Sequence, residues 1–161
     1  MKTEYVKILK AALICLIIGT LAFIFSQSTL PPEVSKAESD AVGEIIEEII
    51  PPESPPGEYV QKNLRKIGHF VEFLILGTEV AVFVIFFARK IRYGILSVIF
   101  SPLVALCDET IQIFSDRGPS ITDVWIDTAG FASASAIAYL IYLAVIFTKK
   151  KLALRKRKND G

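Results

Sequence analysis

One histidine, one tryptophan and two cysteines are all this chain offers of several residue types that often carry enzymatic chemistry or crosslinks. Cys15 and Cys107 fall in separate apolar runs, so they build neither a disulfide framework nor a metal cluster. Each reads as a small buried apolar residue. A lone His69 excludes metal sites that need two or more imidazoles. No glycine-rich phosphate loop and no nucleophile motif occurs. Polar surface is also short: 52% of the 161 residues are hydrophobic and the mean hydropathy is +0.49. An ordinary soluble domain is excluded.

Four apolar runs are present, at about 8–25, 67–88, 94–115 and 123–148. Crossing a hydrocarbon layer of about 30 Å takes roughly 20 helical residues, so each is long enough to span. The pattern predicts an all-α integral membrane four-helix bundle over residues 1–148, followed by a basic tail at 149–161. No separate soluble catalytic domain fits, and function is expected in the bundle or its loops. Lys2, Lys7 and Lys10 before the first run resemble the start of a signal peptide. That run exceeds the usual apolar core of roughly 7–15 residues and no small-x-small cleavage site follows, so a retained span is expected.

The net charge of +1 conceals an asymmetry. Of 18 Lys and Arg, 13 flank the first span's start, the gap between the second and third spans (Arg89, Lys90, Arg92) and the fourth span's end. Short loops rich in Lys and Arg stay cytoplasmic. The reading is a multi-pass protein of the cell membrane with both termini cytoplasmic and residues 26–66 and 116–122 outside. The tail Lys149–Lys158 reads as an anchor on anionic lipid rather than a nucleic-acid site.

Loop 26–66 has its own pattern. After Pro31–Pro32, apolar residues recur at Val34, Ala37, Ala41, Val42, Ile45, Ile46, Ile49 and Ile50, opposite Ser39, Asp40, Glu44, Glu47 and Glu48. That spacing describes an extracytoplasmic amphipathic helix. Its acidic face opposes attraction to anionic lipid, so docking on the protein is expected. Pro51–Pro52 and Pro55–Pro56–Gly57 read as a stiff connector.

Ionisable groups inside a bilayer cost several kcal/mol or more unless they face protein or water. This chain places many. Arg65, His69, Glu72 and Glu79 share one side of the second span, with Glu79 near the midplane. Pro102 is expected to free a backbone carbonyl in the third span. Asp108, Glu109 and Gln112 lie within about a 100° arc near that span's outer end. Asp116–Arg117–Gly118–Pro119–Ser120 reads as a tight turn, with Ser120 or Thr122 capping the fourth helix. Asp123 and Asp127 then top a stripe of small residues at Gly130, Ala134 and Ala138, which suits close helix approach in lipid. The nine residues Arg65, His69, Glu72, Asp108, Glu109, Gln112, Arg117, Asp123 and Asp127 are therefore expected to converge on one polar cavity at the outer leaflet.

The stretch Arg65–Lys66–Ile67–Gly68–His69–Phe70–Val71–Glu72–Phe73, with Gly77, resembles a signature of the VanZ-like family of bacterial membrane proteins. Asp108–Glu109–Thr110–Ile111–Gln112–Ile113–Phe114, followed by Arg117, Asp123, Asp127 and Gly130, resembles that family's second signature. Phe73 stands where many members carry Tyr, and Asp127 where Asn is frequent. The second departure adds an acid. Glu79 receives no role from the resemblance. What the resemblance implies is an integral membrane protein, linked in some members to low-level teicoplanin resistance, without a settled reaction.

Three chemistries fit the residues. The cavity binds a membrane lipid, a lipid-linked cell-wall precursor or a glycopeptide, Arg65 and Arg117 gripping phosphate or carboxylate. The same residues could instead form a closed network locking three helices, Arg117 pairing with Asp123 and His69 with Asp108 or Glu109, though a role beyond packing is the favoured reading. An enzyme acting on a lipid-linked substrate is the alternative, and no cofactor is required, although His69 with the carboxylates suits a divalent metal. Proton-coupled transport through Glu79 is the third reading.

Overall fold

Proline opens two of the helices. In a computed structural model describing residues 2–88 and 90–159, α1 spans Lys2–Ser28 and α2 Pro32–Glu47. Helix α3 runs over Pro55–Phe83 and continues as a π-helical stretch, Val84–Ala88. Helices α4 (Ile91–Phe114) and α5 (Ile121–Asn159) complete the chain. No strand occurs among the described residues, and four helices are long and apolar enough to cross a membrane. The fold is the expected all-helical four-span bundle with an added amphipathic helix. Arg89, one of the cations used to assign sidedness, lies outside the described residues.

Two prolines correct the expected layout. Pro55 and Pro56 are not a connector but the first turn of α3, where a missing N–H costs nothing. Ser54 caps that turn, its hydroxyl oxygen accepting the Gly57 N–H at 3.2 Å. The second span thus belongs to one helix from Pro55 to Ala88, which carries Arg65 and His69 on rigid backbone. Pro102 does not break α4. The carbonyl it deprives of a donor, that of Val98, accepts instead from the buried Ser101 hydroxyl at 2.8 Å.

Helices α3 and α5 make the closest contact in the bundle, through backbone. A β-carbon added at Gly77 would stand 2.5 Å from the Phe131 carbonyl oxygen, and one at Gly130 would collide with the Phe70 carbonyl. The small-residue stripe on α5 is thus the packing surface, Ala134 being buried with Phe131. Ile24 of α1, Phe73 and Leu76 of α3, Ala105 of α4 and Phe131 of α5 form the apolar core. Most other large apolar side chains are exposed on the bundle surface, as lipid-facing residues are. Cys15 and Cys107 are among the exposed residues, not buried as the sequence suggested.

Helix α2 docks on α3 at one point. Gln61 donates to the Gly43 carbonyl at 3.3 Å and to Glu47 at 3.1 Å, while Gly43 sits against Leu64. Its apolar face is not covered: Val42 and Ile45 are exposed, as is Ile49 in the turn beyond its end. The expected docking of that face on the protein therefore does not occur, because α2 approaches α3 through glycine and polar side chains.

Overpacking a close helix contact costs typically about 1–3 kcal/mol. Gly77→Ala and Gly130→Ala are each expected to lower thermal stability in detergent by that amount. Gly68→Ala, where an added β-carbon meets nothing within 4 Å, should be neutral or stabilising. Equal melting temperatures for all three variants would contradict the contact.

Candidate functional site

The most deeply buried side chains of this bundle include polar ones. Asp108, Gln112 and Asp127 are 0% exposed, and His69, Glu109, Arg117, Asp123 and Ser28 are also buried. Helix α3 supplies His69, α4 supplies Asp108, Glu109 and Gln112, and α5 supplies Asp123 and Asp127. All lie at the end of the bundle that carries α2. The close α3–α5 contact explains the core of the arrangement, since His69 adjoins Phe70 and Asp127 sits one turn from Gly130.

His69 Nδ1 stands 3.4 Å from Asp127 Oδ1 and 3.8 Å from Asp108 Oδ2. Asp108 is anchored on both oxygens: the Ser28 hydroxyl donates to Oδ1 at 2.6 Å and the Gln112 amide to Oδ2 at 3.0 Å. Gln112 Nε2 also reaches Glu109 Oε1 at 3.3 Å, and its Oε1 accepts from the Arg65 guanidinium at 2.5 Å. Glu109 Oε2 accepts the Ser120 backbone N–H at 2.6 Å. Glu72 is half-buried within the electrostatic reach of His69, Asp108, Asp127 and Arg117.

Arg117 is placed by the turn. Asp116 adopts a left-handed conformation, φ 54°, at the end of α4. The Arg117 N–H then returns to the Gln112 carbonyl at 3.1 Å, closing the helix end as a glycine commonly does. The side chain crosses to α1 and donates to the Gln27 carbonyl at 2.9 Å. Burial, followed by the neighbouring Arg65 guanidinium, draws its pKa below the ordinary arginine value, against the pull of Asp108, Glu109 and Glu72. It remains a cation. Ser120 caps α5, its hydroxyl oxygen accepting the Asp123 N–H at 3.3 Å.

Four atoms of this centre are buried without a hydrogen-bond partner: His69 Nδ1, both carboxylate oxygens of Asp127 and Asp123 Oδ1. Above them lies a cleft of about 370 Å³, whose lining includes Lys36, Lys62, Arg65 and Arg117 against Asp40 and Asp116. On the lipid-facing side, a groove between α1 and α3 passes Leu13, Leu16 and Ile75 and meets Glu72.

The structure brings the nine expected residues together at one end of the bundle, with different pairings. Arg117 bonds α1 rather than Asp123, and His69 is nearest Asp127 rather than Asp108 or Glu109. Glu79 stays apart, one oxygen accepting from Thr20 of α1 at 2.9 Å. Sequence reasoning missed α1 altogether: Ser28 and the Gln27 carbonyl complete the site. The polar Gln27–Ser28–Thr29 at the end of an apolar run was the available signal.

A hydrogen bond to a charged group is worth about 1.5–3 kcal/mol. Ser28→Ala, which removes the donor on Asp108, is expected to destabilise the protein by that amount. Ser26→Ala serves as the control, because Ser26 is exposed and bonds its own helix at Phe23. Matching melting curves for the two would show that the Ser28–Asp108 bond does not form.

Among curated proteins and solved structures, nothing matches this chain. The VanZ/LLP1 family model matches residues 12–146, from α1 through most of α5, and so includes every residue of the centre. The chain belongs to the VanZ/LLP1 family.

Proposed function

We propose that this protein holds an envelope lipid or lipid-linked cell-wall precursor with an anionic, phosphate-bearing headgroup, and thereby modulates how the envelope meets lipoglycopeptides. The reading rests on one observation: a largely apolar α1–α3 groove includes Glu72, which adjoins the buried polar centre, with four cationic residues on the cleft above. A tail in the groove places a headgroup under Arg65 and Arg117, whose guanidiniums suit phosphate oxygens. Groove and cleft fit a ligand that is apolar at one end and anionic at the other. The Lys and Arg distribution supports an outward-facing centre with both termini cytoplasmic.

A second reading, a metal-dependent enzyme on a lipid-linked substrate, is favoured by the grouping of His69, Asp108 and Asp127. Glu72 would then be the neighbouring acid–base group. Hydrolysis products of a phospholipid or lipid-linked precursor, formed by purified protein and lost with Glu72→Gln, would decide for it. Transport finds less support, since Glu79 lies apart from the polar centre, bonded to Thr20 of α1 through one oxygen.

Lipid retention tests the binding reading. Gly19 lines the groove, and a β-carbon there meets nothing within 4 Å, so Gly19→Leu fills the groove without a backbone clash. Native mass spectrometry of protein equilibrated with phosphatidylglycerol should show bound lipid in the unmodified protein. Retention should fall about tenfold in Gly19→Leu and in Arg65→Gln, roughly the loss of one charge-assisted bond for the latter. Teicoplanin susceptibility should rise in cells carrying either variant. Undiminished lipid retention in both would remove the proposal.

A further inference from the structure

We infer that His69 Nδ1 and one carboxylate oxygen each from Asp108 and Asp127 form a site for a divalent first-row metal ion, Mn²⁺ or Zn²⁺, inside the bundle. This goes beyond the lipid-binding reading and does not depend on it. Three helices present one ligand atom apiece, all within 4.8 Å of one another and all on buried residues. A tetrahedral ion with bonds near 2.1 Å separates its ligands by about 3.4 Å. His69 Nδ1 and Asp127 Oδ1 stand at 3.4 Å, and the Asp108 oxygen is 3.8 Å from the same nitrogen.

The hydrogen-bond pattern points the same way independently. Asp127 is fully buried, yet neither of its oxygens accepts a well-formed hydrogen bond, and His69 Nδ1, 3.4 Å from Oδ1, makes none either. A buried unsatisfied polar atom costs about 1–3 kcal/mol, more when charged, and such atoms rarely cluster without cause. Neither nearby guanidinium bonds Asp127: Arg65 donates to Gln112 and Arg117 to the Gln27 carbonyl. A cation between the ligand atoms satisfies the nitrogen lone pair and the carboxylates together.

The surroundings resemble the support that metal ligands ordinarily receive. Ser28 and Gln112 fix the Asp108 carboxylate, while Ser120 and Gln112 hold Glu109 beside it. One imidazole and two carboxylates suit Mn²⁺ or Zn²⁺ better than the all-oxygen preference of Mg²⁺ or Ca²⁺. Three protein ligands leave positions for water or for a phosphate oxygen. Such an ion would also offset the crowding of Glu72, Asp108, Glu109, Asp123 and Asp127.

The competing account is an imidazolium bridging two aspartates with no ion. To separate them, the full chain carrying a non-histidine affinity tag is stripped with chelator and titrated with Mn²⁺ and with Zn²⁺ separately. Elemental analysis should find one ion per chain for at least one of the two metals. The melting temperature should rise with that metal and fall back on chelation. Asp127→Asn keeps the side-chain volume and should weaken binding at least about 100-fold, with Ser28→Ala weakening it about tenfold. For bound Mn²⁺, electron paramagnetic resonance should show coupling to one nitrogen that disappears in His69→Gln. Lack of stoichiometric metal in the unmodified protein, or metal affinity in Asp127→Asn and His69→Gln unchanged from the unmodified protein, would overturn the site. Should a variant fail to fold, the chelator-reversible melting shift of the unmodified protein decides alone.

Discussion

Backbone-to-backbone contact between α3 and α5 is the constraint from which the rest of this bundle follows. Association of helices in lipid gains little from hydrophobicity, because acyl chains are as apolar as leucine. Close approach at Gly77 and Gly130 supplies the packing instead. It also fixes what faces what. With Gly130 against Phe70, the neighbouring His69 and the aspartate one turn before Gly130 are brought face to face at 3.4 Å. The glycines of both family signatures and the charged residues between them are thus parts of one geometric arrangement.

Around that contact the bundle is organised inside out relative to a soluble protein. Its surface carries isoleucine, leucine and phenylalanine, and its most buried side chains include two aspartates and a glutamine. Burying a carboxylate requires hydrogen bonds or opposite charge. Asp108 and Glu109 are served by neutral donors from Ser28, Gln112 and the Ser120 backbone, while Asp127 is left with open oxygens. The arrangement is asymmetric: well-anchored acids surround one acid and one imidazole whose coordination is incomplete. The cationic side chains sit in the cleft above rather than in the centre.

Much of this was legible in the sequence. Hydropathy gave four spans, and two charged motifs, one over Arg65–Phe73 and the other opening at Asp108, announced where polarity would concentrate. Helical periodicity placed His69, Asp108, Gln112, Asp123 and Asp127 on inward faces, and the structure agrees. Proline was misread at Pro55–Pro56, since a pair of prolines starts a helix as readily as it ends one. The pairings were not legible, because which donor meets which carboxylate depends on helix rotation and on a turn closed by Asp116 in the left-handed region. Nor was α1, whose polar residues lie at its end and bear no charge. The exposure of α2's apolar face likewise follows from tertiary contact at Gly43, which amphipathic spacing does not encode.

The reach of α1 into the centre has a consequence for biogenesis. Ser28 and the Gln27 carbonyl come from the first helix in chain order, and Asp127 comes from the last. No hairpin of neighbouring helices contains the complete set of partners, so a chain inserted only through α4 holds Asp108 without the α5 half of its environment. Charged groups that lack their complement are the costliest cargo for a bilayer. Completion of the fourth span therefore closes the electrostatic circuit, and a partially inserted intermediate carries a built-in mark of its own incompleteness.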